Sequence, residues 1–317
     1  MRKTREFKMI VILLAAYNGE KFLKDQIDSI LAQTYTDWKL VVQDDCSTDS
    51  TYDIVLCYAN KYPEKIVAVS RRENSGGAAN NFFNMLRYAD EDYMMFSDGD
   101  DIWLPEKLNI TLDMMRKLEA KNGEDMPLLV HTDLKVVDSQ LCEISGSLLK
   151  RQYLNCNNWQ LNHLLAQNIV TGCTLMANRR LTEMIGAPPT HAAMHDWWFA
   201  LTASAFGEIG FVKQPMVLYR QHGTNLVGAK NAKSINYYLR RLLSIRKTRR
   251  ELRVTYQQAR EFHERYGDDL DNHKAQMVKD FILLPKVSVL SRLRLLNRYD
   301  FWKSGFLRRC GQLFIRP

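Results

Sequence analysis

Short apolar runs alternate with amphipathic stretches through the first hundred residues. Residues 9–16, 39–42, 66–69 and 93–96 are runs of strand length, rich in Ile, Val, Leu and Met. Between them, residues 20–33, 50–62 and 78–89 carry apolar side chains at helical spacing. The second of these is led by Ser47-Thr48-Asp49, side chains that can accept from the free N–H groups of a helix start. The order predicts βαβα units, hence an α/β, Rossmann-like, mostly parallel sheet flanked by helices. In such sheets ligands sit beyond the strand C-termini, near a reversal of strand order. Four loops should open on that edge: Ala16 to Gly19, Gln43 to Ser47, Arg71 to Gly77 and Ser97 to Asp101.

Beyond Trp103-Leu104-Pro105, a helix start with proline near its first turn, the alternation weakens. Strands are expected over residues 128–137, 172–177 and 216–219, among longer loops. From about residue 229 the pattern becomes long basic helices, over residues 234–266, 272–284 and then 286–317. The chain therefore divides into residues 1–230 and a helical C-terminal extension, 231–317. Within the first part, 1–104 holds the βαβα units and 105–230 an α+β remainder.

Composition changes this picture little, and charge changes it more. At 317 residues, with 46% hydrophobic and 25% charged, the chain reads as ordered globular protein. The net charge of +8 is unevenly spread: residues 231–317 hold 20 Lys and Arg against 8 Asp and Glu, leaving 24 against 28 in the rest. Six cysteines without C-x-x-C or short His/Cys spacing argue against zinc and a disulfide framework, and for a reducing compartment. Arg2, Lys3, Arg5 and Lys8 ahead of an apolar run imitate a secretory signal, but Tyr17-Asn18-Gly19 and a helix pattern follow at once, so the run reads as a buried first strand. No stretch approaches the ~20 apolar residues of a membrane-spanning helix.

The candidate chemistry lies in the loops. Met94 to Phe96 deliver Asp98, Asp100 and Asp101 to a place where the backbone leaves the core. Divalent cations usually meet a protein through one or two carboxylates while substrate phosphates fill the other positions; the same loop also reads as a turn capping the next helix. Asp44 and Asp45, ahead of Ser47-Thr48-Asp49, are either a helix cap or a carboxylate offered to a nucleobase N–H.

Tyr17-Asn18-Gly19, Asp44-Asp45-x-Ser47-x-Asp49, Asn74-x-Gly76, Asp98-x-Asp100-Asp101 and His195-Asp196-Trp197-Trp198 resemble, in order and at family-like spacing, family 2 glycosyltransferases of the GT-A fold. Together with Tyr219-Arg220-Gln221-His222-Gly223, the set looks most like the bacterial rhamnosyltransferase branch, which builds surface polysaccharides from a dTDP-rhamnose donor. The resemblance implies a metal-dependent inverting enzyme passing rhamnose to a polyprenyl-diphosphate-linked glycan. Galactose or GlcNAc from a UDP donor is the first alternative, and a sugar-1-phosphate nucleotidyltransferase a more distant one.

It also implies roles, with about 1–104 as the nucleotide-binding half and about 105–230 as the acceptor half. Asp45, with Asp44 beside it, would contact the pyrimidine base, Ala16, Tyr17 and Asn18 would line the nucleoside pocket, Asp98 and Gly99 would lie near the ribose, and Arg72 or Arg71 would compete with Arg220 for the phosphates. Asp100 and His222 would hold Mn²⁺ or Mg²⁺, and Asp101 would be a ligand neighbour or a cap. Asp196 would be the base that takes the acceptor proton. Trp197 and Trp198 either stack on a sugar or belong to the core, Arg220 would meet the diphosphate or the sugar, and His195 would cap its helix. Cys46 stands where the family often has Gly, so the turn needs a less positive φ or Cys46 touches the base.

The basic extension interleaves Leu290, Phe301, Trp302, Phe306 and Phe314 with arginines, a pattern that reads either as a solvated helical surface or as a segment lying on an anionic membrane. The expected setting is cytoplasmic, peripheral on the inner face of the membrane; a homo-oligomer is compatible, and no nucleic-acid recognition motif is present.

Overall fold

The computed structural model describes residues 8–222 and 245–317. Along the sheet-forming part run β1 (Ile10–Ala16), α1 (Leu23–Leu31), β2 (Trp38–Asp44), α2 (Thr51–Lys61), β3 (Ile66–Ser70), α3 (Ala78–Met85), β4 (Tyr93–Asp98), β5 (Ile102–Trp103) and α4 (Lys107–Asn122). Then come β6 (Leu128–Val137), β7 (Glu143–Ser145), α5 (Leu148–Gln152), α6 (Leu161–Ala166), β8 (Met176–Asn178), α7 (Arg179–Ile185), α8 (His195–Phe206) and β9 (Glu208–Arg220). The C-terminal helices are α9 (Ile245–Tyr266), α10 (Asn272–Leu283), α11 (Val289–Tyr299) and α12 (Phe306–Phe314). These elements divide into two compact units, residues 8–147, 170–188 and 208–222 in the first, and 148–169, 189–207 and 245–317 in the second.

The first unit is built on one sheet of order β3-β2-β1-β4-β8-β6-β9-β5, with β7 paired to β6. Its β3-β2-β1-β4 part is parallel, as the alternating pattern predicts, and β1 is apolar throughout because both of its faces are covered. Beyond β4 the sheet is mixed: β8 is antiparallel to β4 and β6, β9 parallel to β6, and β5 antiparallel to β9. The chain moves from β1 through β2 to β3 on one side and returns to β4 on the other. The strand order therefore reverses between β1 and β4, where an open α/β sheet leaves a crevice.

β2, β3 and β4 each run past the end expected from their apolar runs. Pairing continues to Ala16 opposite Asp44 and Ala15 opposite Asp98, which sets both carboxylates on the C-terminal rim. The strand expected over 172–177 is shorter: Gly172–Thr174 winds into a 3-10 turn that buries Cys173, and only β8 pairs. Conversely, the strand expected over 216–219 is the end of a 13-residue β9. Its register against β6 shifts at Asp133, opposite Pro215, where a bulge accommodates a residue that cannot donate to the ladder.

In the second unit, α6 and α8 join the C-terminal helices around Trp198, Phe199, Phe262, Phe281 and Phe301, all buried. Trp198 meets Phe262 edge-on at 5.6 Å between ring centroids, and Phe281 meets Phe301 at 5.0 Å. The division expected at residue 230 and the helix start expected at residue 234 lie outside the described residues. Among the described residues no helix is long and apolar enough to cross a membrane.

Candidate active site

The loops after β1 and β2 are tied to each other. Asn18 adopts φ 47°, and its backbone N–H donates to Ser47 Oγ at 2.8 Å while its Oδ1 accepts from Thr48 N–H at 2.8 Å. Gly19 N–H donates to Thr51 Oγ1 at 2.8 Å. The capping chemistry seen in the sequence thus serves a neighbouring loop as well as α2, which leaves Tyr17 exposed at the rim. Ala16, Tyr17 and Asn18 line this edge beside Asp44 and Asp45.

Asp44 and Asp45 are both buried, with different partners. Asp44 Oδ2 accepts from Ser47 N–H at 3.1 Å, and its Oδ1 has no hydrogen-bond partner among the described residues. Asp45 accepts from Ser75 N–H at 2.8 Å and Ser75 Oγ at 2.6 Å, and Arg71 Nε lies 3.2 Å from its Oδ1. Arg71 is therefore engaged at the base of this loop, while Arg72 is exposed. Asn74 donates to the Asp45 carbonyl at 2.8 Å and accepts from Gly76 N–H at 2.9 Å, with Gly76 at φ 80°, a turn that favours glycine. Cys46 adopts φ 64° despite its side chain, so the turn keeps the positive φ of a glycine position; its thiol contacts the Arg71 carbonyl at 3.3 Å.

At the end of β4, Asp98, Gly99 and Asp100 are half-buried and Asp101 fully buried. Arg220, delivered by β9, holds this loop. Its backbone N–H donates to Asp101 Oδ1 at 3.2 Å, its Nε to the Asp100 carbonyl at 3.0 Å, its Nη1 to the Ser139 carbonyl at 3.1 Å and its Nη2 to Asp25 Oδ2 at 2.9 Å. The guanidinium also stacks over Phe22 at 4.5 Å. With that side chain only 4% exposed and committed on every nitrogen, the expectation that Arg220 meets a diphosphate or a sugar is corrected: it positions the acidic loop. His222, two residues on, shares these partners, its ring 4.8 Å from Phe22 and its Nε2 2.7 Å from Asp100 Oδ2.

Two groups of side chains here could meet a cation. Asp98, Asp101 and Cys173 each offer a ligand atom within 4.8 Å of the others. Burial, then the neighbouring Asp100 and Asp98, push the Asp101 carboxyl well above the usual range, and burial does the same to the Cys173 thiol. Groups that hold their protons suit a hard cation poorly. Asp100 and His222 fit better, supplying one carboxylate oxygen and one imidazole nitrogen with part of each accessible, a donor set suited to Mn²⁺ and, through the carboxylate, to Mg²⁺.

Behind the acidic loop lies a residue the sequence did not single out. Lys107, first in α4, is fully buried with its Nζ 3.3 Å from the centre of the Trp103 ring and without a hydrogen bond among the described residues. Burial lowers its pKa to about 7, against the opposing pull of Cys173 and Asp101. A helix N-terminus is an unfavourable place for a cation, which leaves the ring face and the Asp101 carboxyl as its compensation. A lysine two residues after a Trp-Leu-Pro turn is the only sequence signal.

His195, Asp196, Trp197 and Trp198 open α8 in the second unit. The residue at the helix start is Met194, with no side-chain cap, so His195 does not cap α8; it is buried, and burial lowers its pKa to about 3. Asp196 Oδ1 accepts from Asn168 Nδ2 at 3.1 Å, a partner missed in the sequence because it lies 28 residues away. Trp197 donates from Nε1 to the Leu164 carbonyl at 2.6 Å and keeps part of its ring accessible. Trp198 is fully buried against Phe262 and Tyr266, which corrects the sugar-stacking alternative for that ring: it is core.

The structure thus gathers Ala16, Tyr17, Asn18, Asp44, Asp45, Asp98, Asp100 and His222 on the C-terminal rim of one sheet. Residues 11–122, spanning these loops through α4, match the model for glycosyl transferase family 2. The chain carries a family 2 glycosyltransferase domain. The dTDP-rhamnosyl transferase RfbG of Shigella flexneri is 27% identical over 227 residues, covering 68% of this chain and 74% of the relative. The UDP-Glc:alpha-D-GlcNAc-diphosphoundecaprenol beta-1,3-glucosyltransferase WfgD of Escherichia coli is 27% identical over 194 residues, covering 61% and 69%.

Solved structures share the fold. Residues 1–349 of S. aureus TarS in complex with UDP-GlcNAc superpose at a TM-score of 0.58 and 17% identity, covering 92% of this chain and 80% of that one. The mannosyltransferase PcManGT from Pyrobaculum calidifontis, in complex with GDP-Man and Mn2+, superposes at 0.55 and 16%, covering 96% and 78%. The glycosyltransferase accordingly has the GT-A fold, a mixed sheet flanked by helices with further helices at its C-terminal end.

Proposed function

We propose that this glycosyltransferase moves L-rhamnose from dTDP-β-L-rhamnose, with inversion, to a polyprenyl-diphosphate-linked saccharide at the inner face of the cell membrane. The observation that carries the reading is the acidic loop after β4, with Asp100 paired to His222 and the loop locked by Arg220 at the strand-order reversal. The rhamnosyl donor is supported by the name of the Shigella relative.

In this reading Asp44 and Asp45 receive the base, with Ala16, Tyr17 and Asn18 beside it. Asp44 Oδ1, buried and without a partner among the described residues, is the stronger candidate for a base N–H, since Ser75 and Arg71 already hold Asp45. Asp98 and Gly99 adjoin the ribose, and the exposed Arg72 is placed for phosphate. Asp100 and His222 would hold Mn²⁺ or Mg²⁺, which supplies charge to offset the leaving diphosphate. Asp196, oriented by Asn168, accepts the proton of the acceptor hydroxyl as that oxygen bonds the anomeric carbon. The bond from that carbon to the diphosphate oxygen breaks and dTDP departs; transfer on the face opposite the leaving group gives an α-linkage. Trp197 is the remaining candidate for a sugar face.

A second reading, a UDP-hexose donor, is favoured by the similarity to the UDP-Glc-dependent glucosyltransferase of Escherichia coli. Nucleotide release measured with Mn²⁺ and a panel of nucleotide sugars separates the two. Release of dTDP from dTDP-rhamnose, abolished by EDTA, is expected, and release from UDP-sugars alone would overturn the rhamnosyl assignment.

A further inference from the structure

The interleaved apolar and basic residues of the C-terminal extension are sorted by the second unit's packing. Leu296 and Phe301 are buried completely, whereas Leu290, Phe306 and Phe314 are 71%, 79% and 65% exposed, the three highest values among the large hydrophobic side chains described. All three lie within α11 and α12.

These two helices are firmly held. Arg292, buried on α11, donates from Nε to the Leu284 carbonyl at 2.9 Å and from Nη1 to the Leu313 carbonyl of α12 at 2.7 Å. Gln312 donates to the Phe301 carbonyl at 2.6 Å and accepts from Lys303 N–H at 3.1 Å. The exposure of Leu290 and Phe314, which flank the Arg292–Leu313 bond in sequence, is therefore fixed by buried polar bonds. On α11, Leu290, Arg294 and Arg298 follow one another at four-residue spacing along a single exposed stripe; on α12, Arg309 is exposed between Phe306 and Phe314. Residues 286–317 contain eight Lys and Arg against Asp300 alone.

Resting on the proposed work at a membrane, we infer that α11 and α12 form the docking surface, with Leu290, Phe306 and Phe314 entering the interfacial layer and Arg294, Arg298 and Arg309 meeting phosphate headgroups. Aromatic and apolar side chains beside arginines gain from both apolar burial and attraction to anionic lipid. A second copy of the chain is a poorer occupant, because the same positive surface would face itself.

Flotation of the full chain with vesicles of phosphatidylcholine and phosphatidylglycerol in equal parts tests this. The parent is expected to float with these vesicles and not with phosphatidylcholine alone. Phe306→Ser with Phe314→Ser should weaken partitioning by about tenfold or more, since each exposed ring contributes apolar burial at the interface, and Arg294→Glu with Arg298→Glu should remove the preference for anionic lipid. Because these side chains touch solvent, thermal unfolding of each variant should match the parent. Parent protein that ignores both vesicles would overturn the membrane reading and this surface together. A phenylalanine double variant that floats as well as the parent overturns this surface alone, as does a parent dimer that the same double variant dissociates.

Discussion

His222 Nε2 lies 2.7 Å from Asp100 Oδ2, although the two residues are 122 apart in the chain. If this pair holds the metal, the two substitutions differ in degree. Asp100→Ala should abolish transfer at any Mn²⁺ concentration. His222→Ala, which leaves the carboxylate, should weaken Mn²⁺ binding by about tenfold, roughly 1.4 kcal/mol, and be partly restored by excess metal. Calorimetric titration with Mn²⁺ measures both, and unchanged affinity in His222→Ala would remove it from the metal shell.

Arg220 is expected to act through the loop it holds. Arg220→Lys keeps the charge but cannot reach Asp25, the Ser139 carbonyl and the Asp100 carbonyl together. The loss should be at least ~2 kcal/mol in urea unfolding, the scale of hydrogen bonds from a charged group, with donor binding weakened in parallel. A variant that keeps full stability and loses only turnover would point to direct contact with substrate.

Lys107 should give the protein a pH-dependent stability. Its folded pKa, about 7, lies below the ordinary 10.5, so between those values the unfolded chain binds more protons and stability rises with pH. Below pH 7 the full cost of the buried charge is present, about 5 kcal/mol for a shift of this size. Lys107→Met should therefore be more stable than the parent at neutral pH and lose the slope between about 7 and 10.5. Equal slopes in parent and variant, from unfolding curves across that range, would refute the buried-charge account.

Asp196→Asn should lower transfer by about a thousandfold, in the range for loss of a general base, while nucleotide affinity stays within a few-fold. Asn168→Ala should produce a smaller loss by freeing the carboxylate it orients. Loss of donor binding in Asp196→Asn would move this residue out of the proton-taking role.

What was legible in the sequence follows from the range of the forces involved. β1, β2 and β4 were visible because strands largely covered on both faces are apolar almost without interruption, β3 through its short Ile-Val run although Val67 is exposed at the sheet edge, and Asp98 to Asp101 because so many adjacent carboxylates need a reason to be there. Trp198 was ambiguous, since a core ring and a sugar-stacking ring have the same place in a helical pattern. Arg220 misled because its partners, Asp25 and Ser139, are distant in the chain and nothing local marks them. Lys107 passed unremarked because a lysine at a helix start resembles a surface residue until the strand carrying Trp103 encloses it. Pro215 hid most of β9, whose bulge only the pairing with β6 reveals.

The bond from Arg220 to Asp25 spans 195 residues, and those to the Asp100 carbonyl and Asp101 span 120 and 119. During synthesis β1 to β4 emerge early and can pair among themselves, but the acidic loop stays without its clamp until β9 has left the ribosome. Contacts of such separation form late and slowly. A nascent chain halted between β4 and β9 would thus present a parallel half-sheet with an unfastened acidic loop, and the donor site proposed above is complete only once nearly all of the first unit has been translated.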